Sequence, residues 1–159
     1  MAGNVVAMIN HYLRKGLLGS PILLKHVFLA IEPNARATSL DSARFNPVEV
    51  VNHLADWEPI FHTRITLAAE HPGSTLVPYD PDERAAQFGY ATNDPIAGLA
   101  RFEEQRVKTV ELLEQYADRF DNELIHPALG SITLRDLANM IVGHDMDHYA
   151  YLSQYLRAV

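Results

Sequence analysis

Residues 133–156 read TLRDLANMIVGHDMDHYAYLSQYL. Leu134, Leu137, Ile141, His144, His148, Tyr151 and Tyr155 follow one another at spacings of three and four. That repeat is the inward face of an amphipathic helix, predicted over about 134–157. Thr133, with Asp136 three residues on, supplies its start. Two histidines therefore stand on a core stripe, about one turn apart. This is the spacing by which two imidazoles reach one metal ion. A lone core histidine reads as a hydrogen-bonded packing residue. Two neutral imidazoles together need two sets of partners, which a shared cation supplies at once. At this point a metal pair and a metal-free, hydrogen-bonded core are both open. Gly143 would leave room for a neighbouring helix to approach, at a helix-propensity cost of about 1 kcal/mol.

The rest of the chain reads as helix too. Nine prolines look too many for that until they are placed. Ser20-Pro21, Asn46-Pro47, Asp80-Pro81 and Asp94-Pro95 each put a short polar side chain at a cap and proline at the first helical position. Glu49 and Glu83 complete capping boxes in type. The expected helices run roughly 3–18, 21–31, 47–70, 81–88, 95–118 and 134–157, with a break at Gly19-Ser20. Pro59 falls inside a helical pattern and should kink it by orphaning the Ala55 carbonyl. Segments 71–80 and 118–132 read as loops, and no alternating run requires a strand. The expectation is an all-α, up-and-down four-helix bundle, with a short extra helix in a connection and residues 1–159 as one domain.

Composition narrows the chemistry. Lysine and arginine number 13 against 20 aspartates and glutamates, a net charge of −7. That sign disfavours nucleic acid and anionic membrane surfaces as partners. There is no cysteine, which excludes disulfides, thiolate metal sites, iron–sulfur clusters and a cysteine nucleophile. Neither a signal peptide nor a run of about 18 apolar residues is visible, so a cytoplasmic location is expected.

The other histidines sort by position. His71 and His126 precede prolines, which pushes them out of the helical region. His53 lies on the stripe Val50, His53, Trp57, Ile60, so it can face inward, although such a residue alone reads first as a surface or capping histidine. His62, nine residues on, points to the opposite side. Asp56 and Glu58 would fix an imidazole or, more commonly, sit in solvent. Asp145 and Asp147 read as a solvated face, and Glu103, Glu104 and Arg106 as a surface charge cluster. Tyr149, Tyr151 and Tyr155 read as packing or dimer contacts.

With these residues in place, the chain resembles the DinB superfamily of metal-binding helical bundles, of the YfiT-like kind. The matching pieces are NPVEVVNHLADWEPIF at 46–61, VPYDPDERA at 77–85 and HPALGSITLRDLANMIVGHDMDHYAYLSQYL at 126–156. The family pattern is one histidine on the second helix plus HxxxH on the fourth. The resemblance therefore implies His53, His144 and His148 as ligands of a divalent metal, nickel or zinc. It also implies a metal-dependent enzyme of thiol S-transferase or hydrolase type, a small-molecule substrate that includes a low-molecular-weight thiol in the first case, and a homodimer. The rival expectation is a binding bundle without catalysis. Because the chain has no cysteine, any reacting thiol must arrive as substrate.

Overall fold

The computed structural model describes residues 8–156. Four long helices, α1 (His11–Ala30), α2 (Pro47–Glu70), α4 (Pro95–Gln115) and α5 (Leu134–Leu152), form a four-helix bundle. A short helix, α3 (Pro81–Phe88), lies in the α2–α4 connection, as expected. The capping expectations hold at most starts. Asn46 and Glu49 form a capping box, as do Thr133 and Asp136. At α3, Asp80 accepts from the Asp82 and Glu83 amides, without the reciprocal bond from Glu83.

Cross-bundle pairs give the chain directions. Arg14 meets Glu114 while Arg106 reaches the Leu17 carbonyl, so α1 and α4 are antiparallel. Asn52 reaches the Asn93 carbonyl, Arg106 binds Glu58 and Tyr116 binds Glu70, so α2 and α4 are parallel. Ile9 and Leu13 face Arg135 and Asn139, while Ser20 binds Asp145, so α1 and α5 are parallel. The long helices thus run up, down, down, up. The connection 71–94 makes this possible: it is long enough to return along the bundle, so α4 starts beside the start of α2. The two close most tightly at Gly98, where a Cβ would lie 2.7 Å from Asn52 Oδ1 and 2.9 Å from Val51 Cγ1.

Two expectations about the first helix change. It starts at His11, capped by Asn10, and the expected residues 3–7 lie outside the described chain. It then runs unbroken through Gly19, Ser20 and Pro21. Proline at 21 removes the amide that would bond the Leu17 carbonyl. Arg106 Nη1 donates to that carbonyl instead, at 3.4 Å. Ser20 is therefore a buried core residue rather than a cap. α2 runs through Pro59, which lies inside the helix as expected.

Segment 118–132 is not all loop. Glu123–His126 (β1) and Gly130–Thr133 (β2) pair antiparallel, with Leu124 opposite Ile132 on the buried side. Gly130, at φ +77°, closes the turn. Strands of four residues offer too few alternations to read as a period.

The apolar core is in two parts. One, at the hairpin end, gathers Leu17, Phe61, Ile65, Val110 and Ile141. The other gathers Leu24, Val50, Leu54, Phe102 and Leu152. Between them every long helix contributes a polar residue: Ser20, Glu58, Arg106 and Asp145, all buried. Among the described residues no helix is long and apolar enough to cross a membrane.

Candidate metal centre

The antiparallel pairing of α2 with α5 brings His53, His144 and His148 together at the level of this polar layer. One ring nitrogen from each lies within 4.8 Å of the other two. His53 Nε2 and His144 Nε2 face each other at 3.0 Å. His53 is buried at 3% exposure, and the other two rings are half-buried. Trp57 lies against His53 with ring centroids 4.8 Å apart and stacks over His144 at 6.1 Å. Phe45 closes the other side of His53.

The site opens into a cavity of about 440 Å3 lined by the three histidines with Phe45, Trp57 and Arg44. Arg44 donates to Asp147 at 2.7 Å across the mouth and lies over the Tyr151 ring. A larger cavity of about 520 Å3 lies between Ile9, Leu13 and Val142, but no histidine or carboxylate lines it. The convergent chemistry therefore belongs to the smaller one.

Burial sets the charge state. Loss of hydration, and then the mutual repulsion of the rings, holds His53 well below the ordinary histidine value. Burial first, then Arg106, lowers His144 to about 4. Burial first, then His144, lowers His148 to about 4. All three rings are neutral at pH 7, the form that ligates a metal.

A divalent ion fits this donor set. His53 Nε2 and His144 Nε2 have each other as their hydrogen-bond partner. One shared proton satisfies the His53–His144 contact and leaves the third ring unserved. Two imidazoles on one tetrahedral ion stand about 3.3 Å apart, close to the separation the facing nitrogens already have. The donors are all nitrogen, which suits zinc, nickel or copper over magnesium or calcium.

Other residues fall differently from their sequence readings. His62 faces α4 and bonds Thr109 and the Gln105 carbonyl, away from the cluster. His71 ends α2, and His126 ends β1, its Nδ1 accepting the Ala128 and Leu129 amides. A Cβ on Gly143 would meet nothing within 4 Å, so the close approach expected there is absent. Tyr149, Tyr151 and Tyr155 are buried within the chain. Tyr149 bonds Ser20, while Tyr151 and Tyr155 bond the 38–41 segment, which removes them as a dimer face.

The charged residues change most. Asp145 is not on a solvated face but 1% exposed, and Arg106 is not on the surface but equally buried. Arg106 binds Asp145 through both terminal nitrogens and binds Glu58 through Nε and Nη2. Burial alone would lower its pKa, but the Glu58 and Asp145 carboxylates hold it above the usual arginine value. Asp56 bonds Arg84 and Tyr90, pinning α3 to α2 beside the cavity. A signal for Arg106 was present: Leu99, Phe102, Arg106, Val110 and Leu113 form a continuous inward stripe.

Comparison with known proteins agrees with this picture. The family model of the DinB superfamily matches residues 25–152. A protein of Oceanobacillus iheyensis named "Putative metal-dependent hydrolase OB0782" is 27% identical over 135 residues, covering 84% of this chain and 77% of its own. Among solved structures, YfiT from Bacillus subtilis, described as a probable metal-dependent hydrolase with an unusual four-helix bundle topology, superposes with a TM-score of 0.83. It is 24% identical, over 92% of this chain and 85% of its own.

Proposed function

The chain belongs to the DinB superfamily, and from that premise we propose that it is a metal-dependent hydrolase of a small molecule, with His53, His144 and His148 as the metal ligands. The carrying observation is the cluster of three neutral imidazoles at the floor of an open cavity. Three protein ligands leave a coordination position free, the layout of a catalytic rather than a structural site. Bound there, a divalent ion supplies Lewis-acid polarisation and acidified water.

The chain's own residues do the rest. His53 approaches from α2 and the other two rings from α5, so the site forms only when the bundle is assembled. Trp57 and Phe45 wall the rings with apolar surface that restricts water and gives a substrate body a face to pack on. Arg44 and Asp147 set a charged rim. Nickel and zinc are the metals that suit the donors. Transfer to an external thiol is the second reading; it rests on the family resemblance, and because the chain has no cysteine the thiol would arrive as substrate.

The test is metal analysis of protein made without a polyhistidine tag, followed by reconstitution with zinc or nickel. About one equivalent is expected, lost in His53→Ala, His144→Ala and His148→Ala alike. Metal-dependent turnover of ester or amide substrates supports the hydrolase, and turnover only with an added thiol supports the transferase. No bound metal in wild type or reconstituted protein refutes the proposal.

A further inference from the structure

Glu58, Arg106 and Asp145 are all buried, at 0, 1 and 1% exposure, and their charges do not balance. One guanidinium faces two carboxylates. Among the described residues no second lysine or arginine pairs with either acid. The other group near Asp145 is the His144 ring. Thr109 donates to Glu58 Oε2 and Ser20 to Asp145 Oδ2, which satisfies lone pairs but brings no charge.

Anchoring Arg106 in the core would need only one carboxylate. The second adds a desolvation penalty that hydroxyl donors offset in part. The missing positive charge has a place close by. Asp145 directly follows His144, and its Oδ1 lies 3.9 Å from His144 Nδ1, too far for a hydrogen bond but close for a charge in a low dielectric. Glu58 stands on α2, the helix of His53, joined to Asp145 through the single guanidinium. Three neutral ligands, for their part, leave both charges of a divalent ion uncompensated.

We propose that Glu58 and Asp145, bridged by Arg106, are the built-in counter-charge for a divalent cation at His53, His144 and His148, and that they set the affinity of that site. This rests on the metal reading above. The two acids are positioning and charge-compensating residues, not catalytic ones. Their effect is protected from salt because they are buried, unlike that of Asp147 at the rim.

Glu58→Gln is the clean probe. The amide oxygen can still accept both Arg106 bonds, and the new amide N–H can donate to Thr109, whose hydroxyl already lies 3.3 Å from the Gln105 carbonyl. Zinc affinity is measured by chelator competition on metal-stripped, tag-free protein at low and high salt, with circular dichroism and the metal-free thermal midpoint recorded for each variant. A rise in the zinc Kd of roughly 10–100-fold is expected, of similar size at both salt concentrations, with helix content unchanged. A folded Glu58→Gln protein with wild-type zinc affinity overturns the inference, whatever happens to its thermal midpoint. Should Glu58→Gln fail to fold, Asp145→Asn carries the same comparison. Failure of both to fold overturns it in favour of a purely structural ion pair. If the wild type binds no zinc, the metal reading itself fails; if it binds and the variants bind equally, only this inference does.

Discussion

Replacing Arg106 by methionine should be among the costliest single changes in the chain. The guanidinium makes five hydrogen bonds, two to Glu58, two to Asp145 and one to the Leu17 carbonyl, so one side chain serves three buried groups on α2, α5 and α1. Methionine fills much of the volume and donates nothing. Two carboxylates are then left in the core, and removing one partner of a buried pair costs about 3–5 kcal/mol. The stranded Leu17 carbonyl, already deprived of an amide by Pro21, adds about 1 kcal/mol. Against a total stability of about 5–15 kcal/mol, this is a large fraction. At roughly 2–4 °C per kcal/mol for a chain of this size, the thermal midpoint falls by about 10–20 °C.

The assay is urea unfolding followed by circular dichroism, in the presence of chelator so that metal does not contribute. The companion is a triple replacement, Glu58→Leu with Arg106→Met and Asp145→Leu, which removes the charges together. Such exchanges are often neutral or stabilising, by about 1–4 kcal/mol. The triple variant should therefore recover much of what Arg106→Met loses. A loss below about 1 kcal/mol for Arg106→Met would refute the reasoning, because it would mean that water or rearrangement satisfies the two acids at no cost.

Three further outcomes follow from the structure. The metal-free protein should lose stability on acidification through a defined window: His144 and His148 sit at about 4 when folded against 6.5 when free, so the unfolded chain takes up protons first. Their contribution is present above pH 6.5 and lost as pH falls toward 4, at most about 3 kcal/mol for each ring, and chelator-treated unfolding curves across that range check it; a flat profile, or the same profile in His144→Ala, contradicts it. Gly98→Ala should cost about 1–3 kcal/mol by overpacking, because its Cβ would press on Asn52 and Val51 where α2 meets α4, whereas Gly143→Ala should leave stability unchanged or raise it by up to about 1 kcal/mol.

How much of this was legible depended on whether a signal was local. The caps at Asn46, Asp80, Asp94 and Thr133 were readable because a cap bonds amides two or three residues away. His144 and His148 were readable as a pair because one helix sets their spacing. His53 was not: only its placement on an inward stripe pointed to the site, and the resemblance rather than the periodicity joined it to the other two. The hairpin at 123–133 was missed because its strands are too short to show a period.

The charged layer failed to show for a different reason, and Pro21 illustrates it. Read locally, Ser20-Pro21 is a cap and a first helical position, and Arg106 beside Glu103 and Glu104 is a surface cluster. Each reading assigns the polar group to the nearest available partner, water or its own helix. In the folded chain the partner is on another helix: Pro21 frees the Leu17 carbonyl, Arg106 on α4 takes it, and Ser20 turns inward to Asp145 on α5. Burial then reverses the usual prior for a charged residue, since such groups are buried only when paired. The positional clue was that Ser20, Glu58, Arg106 and Asp145 each place a polar group on a largely apolar buried face. One interruption on one helix is noise; four at a common level of a bundle make a layer, and that coincidence exists only once the helices are assembled. The same level holds His53, His144 and His148. The polar layer and the candidate metal centre are therefore two halves of one slice through the bundle, one buried in the core and the other open to the cavity.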